Sequence, residues 1–413
     1  MKKVLFIAYH FPPIAGGGTF RSLKFVKYLP QFGWLPTVLT VDTKLSWAYD
    51  YDLLKEIPKD VKVLRVKQFE WFYFHIFFSK LKMPWIYELI KDRFLIPDIK
   101  VGWVFPALRK ARKELQTNHY DLIFSTSPTP CAHIIAMKLA SKYKLPWICD
   151  FRDFWTLHSD YKFHNTKRFI KERSLEKIIL FKSNKVITVS DGLKRKFIEA
   201  FPFLPSDKIQ TITNGYDQEI FNFKMDNNKF NITYTGSFYG PYNPIQFLKA
   251  VKNCINKNSE FKKNIQVNFI GNISDDVIKQ INNFIPQHSE IVKFQNPVQL
   301  KKYIINSSVL LLILPADNHY NAYIPVKLFD YLSYSKPILS IIPAGDSLDI
   351  LRKCGKVYHA LPENIKNIET VILNLFSLWK TGHLDIEYNT NFIQNFHRKK
   401  LTKQLAEVFD SVI

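Results

Sequence analysis

The sequence predicts an α/β protein built from two Rossmann-like halves, each with a parallel sheet. Short apolar runs alternate with helical patterns almost from end to end, the pattern of βαβ units. The chain has 413 residues, 46% of them apolar, which exceeds one ordinary core and suffices for two. A glycine-bearing turn also follows the first strand of each half.

In the first half the strand runs are 4–9, 37–41, 61–66, 122–125, 147–150 and 186–189, with helical patterns at 20–29 and 132–143. Phe201-Pro202-Phe203-Leu204-Pro205 then interrupts helix and strand alike and places the domain break at 205. One more strand, 209–212, runs into the turn Thr213-Asn214-Gly215, and the polar stretch 226–229 leads into the second half. There the strands are 232–235, 266–270, 291–294, 309–314 and 337–341. Helices at 244–255, 275–284, 298–306, 326–332 and 347–353 separate them. Segment 69–103 breaks this rhythm. It is crowded with Phe, Trp, Tyr and Lys and has no clean period. It reads as an insertion that covers a site, rests on lipid, or packs as a helical excursion.

A net charge of +22 favours polyanionic partners: nucleoside diphosphates, nucleic acid or an anionic membrane face. The 35 Phe, 20 Tyr and 8 Trp beside that charge fit a membrane surface, although a Lys-rich composition raises charge without function. Nucleic acid is not expected, because no helix-turn-helix, RNP-like strand or zinc pattern is present. The four cysteines are scattered, with no CxxC pair, and read as buried reduced thiols. The apolar run after Met1-Lys2-Lys3 is too short for a signal peptide, and no run reaches the ~18 residues of a membrane span.

Five elements carry candidate chemistry. Gly16-Gly17-Gly18 precedes a helix, so its backbone and the helix N–H groups can meet a diphosphate or a sugar hydroxyl. It is neither GxGxxG nor a Walker loop, and a structural turn is the alternative. Asp150-Phe151-Arg152-Asp153 ends a strand, where open α/β sheets bind ligands; it can orient a hydroxyl or form a structural pair. Thr213-Asn214-Gly215 can serve as a hinge that lines a ligand cleft. Tyr234-Thr235-Gly236-Ser237 repeats the glycine turn in the second half. Pro325 suits a first helical position and puts Lys327 in the first turn, where the dipole disfavours a cation unless an anion lies beside it. Asp330, three residues on, shares its side. The pair reads as Lys to phosphate and Asp to a ribose hydroxyl, or as a surface ion pair.

In this order, several segments resemble the family 4 retaining glycosyltransferases of the GT-B fold, of the bacterial cell-envelope polysaccharide type. They are Tyr9-His10-Phe11-Pro12-Pro13 with the glycines, Arg21-Ser22-Leu23-Lys24-Phe25, Asp150 to Trp155, Val186 to Ser190, Ile212 to Asp217, Tyr234 to Ser237, and Pro325 to Leu332. The resemblance implies two Rossmann-like domains with parallel sheets facing a central cleft. Residues 1–205 would receive the acceptor, 206–391 would hold the nucleotide-sugar, and a final helix at 392–413 would cross back to the first domain. It implies a donor set of Gly16, Gly17, Gly18, Asn214, Gly236, Ser237, Ile324, Pro325, Lys327, Leu328 and Asp330. Arg21, Asp150 and Arg152 would lie on the acceptor side, with Asp153 and Lys327 as catalytic groups. No metal or cofactor is implied, and leaving-group charge would be met by Lys and helix N-termini.

The chain departs from the family pattern in places. Of the family's acidic pair, the first position is Ala322 and the second Asp330; Ser237 stands where many members carry Arg, and Pro241-Tyr242-Asn243 supplies no Lys. The expectation is therefore a cytoplasmic enzyme, peripheral at the inner membrane face. It would move a sugar from a nucleotide-sugar to a lipid-linked or polysaccharide acceptor in cell-surface polysaccharide synthesis. A degenerate partner-binding subunit and a nucleotide-sugar 2-epimerase are the alternatives.

Overall fold

A computed structural model describes the chain except residues 43–44, 47, 158–165, 219–227, 296 and 385–386. The chain divides into two compact units: residues 1–214 with 398–413, and residues 215–397.

The first unit runs β1 (Lys2–Ala8), α1 (Gly17–Tyr28), β2 (Trp34–Asp42), β3 (Lys62–Lys67), α2 (Phe72–Lys80), α3 (Pro84–Phe94), α4 (Val104–Thr117), β4 (Leu122–Thr126), α5 (Cys131–Tyr143), β5 (Trp147–Phe151), α6 (Thr166–Lys182), β6 (Lys185–Thr188), α7 (Asp191–Ala200) and β7 (Ile209–Thr211). The second runs β8 (Phe230–Thr235), α8 (Ile245–Lys257), α9 (Ser259–Asn264), β9 (Ile265–Ile270), α10 (Asp275–Phe284), β10 (Ser289–Val292), α11 (Pro297–Ile305), β11 (Val309–Ile313), α12 (Val326–Leu332), β12 (Ile338–Ile341), α13 (Asp346–Cys354), β13 (Tyr358–Ala360), α14 (Ile365–Lys380) and α15 (Thr390–Ile393). Helix α16 (Arg398–Asp410) then completes the first unit.

Among the described residues the first sheet has seven strands, in the order β3-β2-β1-β4-β5-β6-β7, and the second six, in the order β10-β9-β8-β11-β12-β13. All the pairings are parallel. Strands such as Val4–Ala8 and Val309–Ile313 are apolar on successive residues because helices cover both faces of each sheet. Two apolar layers accordingly flank each sheet. The strand order reverses between β1 and β4 in one unit and between β8 and β11 in the other, which makes the loops after these strands the expected ligand loops.

Several sequence expectations need correction. Strand β7 pairs with β6, so residues 206–214 belong to the first sheet, and the chain leaves that unit after Asn214 instead of at the proline pair. The final helix is not continuous from 392. A 3-10 turn, Gln394–Phe396, and extended His397 divide α15 from α16. Ile393 and Phe396 stay in the second unit's core, while Leu401, Leu405 and Phe409 enter the first unit's. Segment 69–103 is helical. No residue of α2 is buried and α3 buries only Tyr87, so neither helix has an apolar stripe to give a period. Strand β13 and helix α14 follow the last strand read from sequence. Of the polar stretch 226–229, residues 226 and 227 lie outside the described residues. All four cysteines are buried and unpaired. Among the described residues no helix is long and apolar enough to cross a membrane.

Candidate functional site

In the first unit the glycine loop follows β1. Gly16 takes φ 115°, a left-handed conformation that favours glycine, and its carbonyl accepts from Thr19 N at 2.9 Å to start α1. Gly17 is exposed with open space beside it, so backbone is offered to a ligand here. Arg152 holds the loop from below. Its Nη1 donates to the Gly18 carbonyl at 2.5 Å and its Nη2 to that of Gly17 at 2.8 Å.

Arg21 and Asp150 form a buried bidentate pair at 3.0 and 2.8 Å, and Thr126 Oγ1 donates to the same carboxylate at 2.6 Å. The guanidinium also donates to the carbonyls of Ile212 and Thr213, at 2.9 and 2.7 Å. Arg21, Asp150 and Arg152 all lie in the first unit. Their polar groups turn inward, where Arg152 shapes the glycine loop and the Arg21–Asp150 pair anchors the segment through which the chain leaves the unit. Asp153, by contrast, is exposed at the end of β5.

The sequence reading missed His10. It is half-buried at the end of β1, and a side chain at Gly18 would come within 3.3 Å of its ring. Burial, then the positive fields of Arg152 and Lys100, lower its pKa to about 4. A neutral imidazole therefore stands beside the glycine loop at ordinary pH.

In the second unit, α12 and the loop after β8 meet at one point. Lys327 Nζ lies 3.8 Å from the centre of the Tyr234 ring, and a Cβ on Gly236 would stand 2.6 Å from it. Gly236 takes φ 127°, and the carbonyl of Ser237 accepts from Tyr234 Oη at 3.0 Å. Tyr331 Oη accepts from Thr235 N at 2.9 Å, tying α12 to the same strand end. Among the described residues no carboxylate pairs with Lys327, and burial lowers its pKa to about 7. Pro325 caps α12 with extended ψ, so Val326 is the first helical residue and Lys327 the second.

Ile324 and Leu328 are buried in the core, which leaves them backbone contacts alone; Asp330 is half-buried on the same helix. Four tyrosines that the sequence reading also missed join the loops after β8 and β11. Ring centres are 6.0 Å apart for Tyr239–Tyr242, 5.5 Å for Tyr242–Tyr320 and 5.9 Å for Tyr320–Tyr323. A separate cleft of about 650 Å³ is lined by Asn321, Pro343, Glu363, Asn364 and Lys366 among others, and includes neither Gly236 nor Lys327.

The predicted residues thus form two groups. Gly16, Gly17, Gly18, Arg21, Asp150, Arg152, Asp153 and Asn214 are in the first unit. Gly236, Ser237, Ile324, Pro325, Lys327, Leu328 and Asp330 are in the second.

Comparison with known proteins decides the class. Residues 15–220 match the family model Glycosyltransferase Family 4. The first unit is a glycosyltransferase family 4 domain. Solved structures align along the whole chain, among them Anabaena HepE in complex with UDP-glucose (13% identity, 100% of each chain, TM-score 0.68). Sucrose-phosphate synthase from Thermosynechococcus elongatus aligns at 12% identity over 100% of this chain and 99% of that one, TM-score 0.69. A protein described as a UDP-N-acetylglucosamine 2-epimerase from Listeria monocytogenes aligns at 10% over 100% and 96%, TM-score 0.59. At these identities the likeness establishes the GT-B fold. No curated protein is similar to the chain in sequence. The glycosyltransferase assignment of the enzyme comes from the family match, and the two parallel-sheet units agree with it.

Proposed function

We propose that this glycosyltransferase takes a sugar from a nucleoside diphosphate sugar bound in the second unit. The sugar passes, with retention and without a metal ion, to a lipid-linked or polysaccharide acceptor of cell-surface polysaccharide synthesis. Work would take place at the inner face of the cytoplasmic membrane. The observation that carries the reading is Lys327, which has no carboxylate partner among the described residues and is held against glycine backbone at the carboxyl end of β8. Desolvating a lysine there is costly, and a bound diphosphate offsets that cost by restoring a counter-charge. As the sugar leaves, charge grows on the diphosphate, and a positioned cation stabilises that charge most in the transition state.

On the acceptor side, His10 and Asp153 are the candidates to orient the hydroxyl. His10 is uncharged above pH ~4, so its free ring nitrogen can accept a hydrogen bond from that hydroxyl. The glycine backbone at Gly17 is open to the same substrate.

The experiment is thermal stability against a panel of nucleoside diphosphates, for the wild type and for Lys327→Ala. A stabilising shift with UDP or GDP that shrinks in the variant supports the donor site. No shift with any nucleotide removes the active-transferase reading and leaves the degenerate subunit in front. The epimerase reading keeps one observation in its favour, the aligned Listeria structure. Conversion of a UDP-sugar to its 2-epimer without acceptor would establish it.

A further inference from the structure

Helix α6 has an outward face of one chemical character. Its exposed cations are Lys167, Lys171, Lys177 and Lys182. Interleaved with them stand the exposed apolar side chains Ile170, Ile178 and Phe181. At 100° per residue these positions fall within about 140° of arc, so they form one continuous strip. Both carboxylates of the helix face the other way and are consumed. Glu172 accepts from Trp155 Nε1 at 2.8 Å and Arg168 Nε at 2.7 Å; Glu176 pairs with Thr156 and Arg173. A helix solvated for its own sake would mix signs on its outer face. This one segregates them, with acids inward and lysines and hydrocarbon outward.

The strip continues beyond α6. The Phe181 ring lies 6.1 Å from that of half-exposed Phe203, and Lys177 sits 5.6 Å over the latter. At the other end Arg168 donates to the carbonyls of Lys91, Leu95 and Pro97, which fastens α6 to the end of α3. Helix α3 in turn exposes Trp85, Leu89 and Phe94, and α2 exposes Phe72, Tyr73 and Phe77.

We propose that the first unit docks on an anionic lipid bilayer through this strip. The lysines of α6 would lie over the headgroups, and Ile170, Ile178, Phe181 and the aromatic α2–α3 pair would enter the interfacial layer. A flat polyanionic surface meets separated cations singly, while hydrocarbon between them gains burial that an acidic protein or nucleic acid would not offer. The proposal deepens the membrane-peripheral part of the proposed function and rests on it.

The test is co-sedimentation of the full-length protein with phosphatidylglycerol-containing vesicles and with pure phosphatidylcholine vesicles. Lys171→Glu with Lys182→Glu reverses two charges of the strip, and Ile170→Ser with Phe181→Ser removes its hydrocarbon. Lys262→Glu with Lys263→Glu makes the same net-charge change on exposed α9 of the second unit. The wild type is expected to bind anionic vesicles and not neutral ones. Either α6 variant should weaken binding by about tenfold or more, and the α9 variant much less. Equal loss in the α6 and α9 charge variants would overturn the proposal in favour of a diffuse net-charge effect. Wild-type indifference to anionic vesicles would overturn it too and turn the strip over to a protein partner. The nucleoside diphosphate shift, read on the same samples, separates failure of docking from failure of the transferase reading.

Discussion

At the scale of single residues, Lys327 makes the sharpest claim. Its folded pKa is about 7 against an ordinary 10.5, because burial disfavours the charged form. Between these values the unfolded chain carries a proton that the folded one lacks. Stability therefore rises with pH from about 7 to about 10.5 and takes no contribution from this group's titration below that window. A diphosphate favours the ammonium, so binding above about pH 7 should take up a proton, and affinity should fall by up to about tenfold per pH unit. Calorimetry in buffers of different ionisation enthalpy measures that uptake; its absence at about pH 8.5 would take Lys327 out of the phosphate site. Lys327→Met should weaken nucleoside diphosphate binding by about 10- to 100-fold, the worth of a charged hydrogen bond, with no loss of stability. Arg21 and Asp150 predict the opposite pattern. Asp150→Ala leaves a buried guanidinium unpaired and should cost about 3–5 kcal/mol in a denaturant titration, while the nucleotide shift of the folded protein persists. A stable Asp150→Ala protein with normal unfolding would show that the pair is dispensable for the fold.

At the scale of elements, the loop after β8 and helix α12 act as one device. Any side chain at Gly236 would meet Lys327 Nζ at 2.6 Å, and φ 127° adds backbone strain. Gly236→Ala should push the ammonium off the Tyr234 face and cut nucleotide binding while the far-UV spectrum stays unchanged. Normal binding by this variant would mean that the approach of lysine to backbone is incidental. In the glycine loop after β1, His10→Phe keeps a ring and removes the acceptor nitrogen. It should lower kcat by about 10²-fold or more if His10 takes the proton, leaving the nucleotide shift intact. These elements were legible to different degrees. Buried parallel strands announce themselves as short apolar runs, so β1, β4, β5 and β11 could be read from sequence, while β8 alternates apolar with polar residues. Helices α2 and α3 could not, because without a buried face there is no stripe to count. Lys327 was legible because a cation in a first helical turn conflicts with the dipole, a local argument. Its contact with Tyr234, the tyrosine cluster and the inward turn of Arg21 and Arg152 join distant segments, and no local pattern encodes them. The break after Asn214 was hidden because β7, although legible as a strand, follows the prolines that normally end a domain, and its pairing with β6 has no local signal.

At the scale of the whole molecule, the chain crosses from the first unit to the second once and returns once. Both crossings are marked in the structure: Arg21 grips the carbonyls of Ile212 and Thr213 before the outward passage, and Tyr216 N donates to Phe396 O at 3.1 Å beside the return. The returning helix is structural. Leu401, Leu405, Val408 and Phe409 of α16 are buried in the layer that α16 shares with α1, with Phe409 ring centres 5.1 Å from Trp34 of β2 and 5.4 Å from Phe124 of β4. Asp410 closes the contact through Lys2 Nζ at 2.8 Å and Trp34 Nε1 at 3.2 Å. Each such apolar side chain contributes about 1.5–3 kcal/mol on burial, so four of them approach the total stability of an ordinary domain. Ending the chain after His397 should therefore unfold the first unit selectively. Calorimetry should show its transition lost or moved down by tens of degrees, while the second unit keeps its own core, Gly236 and Lys327, and a transition that UDP or GDP still raises. A truncated protein with both transitions in place would mean that α16 is an accessory on the first unit. Loss of both would mean that the two units fold as one cooperative body, and that the Arg21 grip on 212–213 transmits the failure across the crossing.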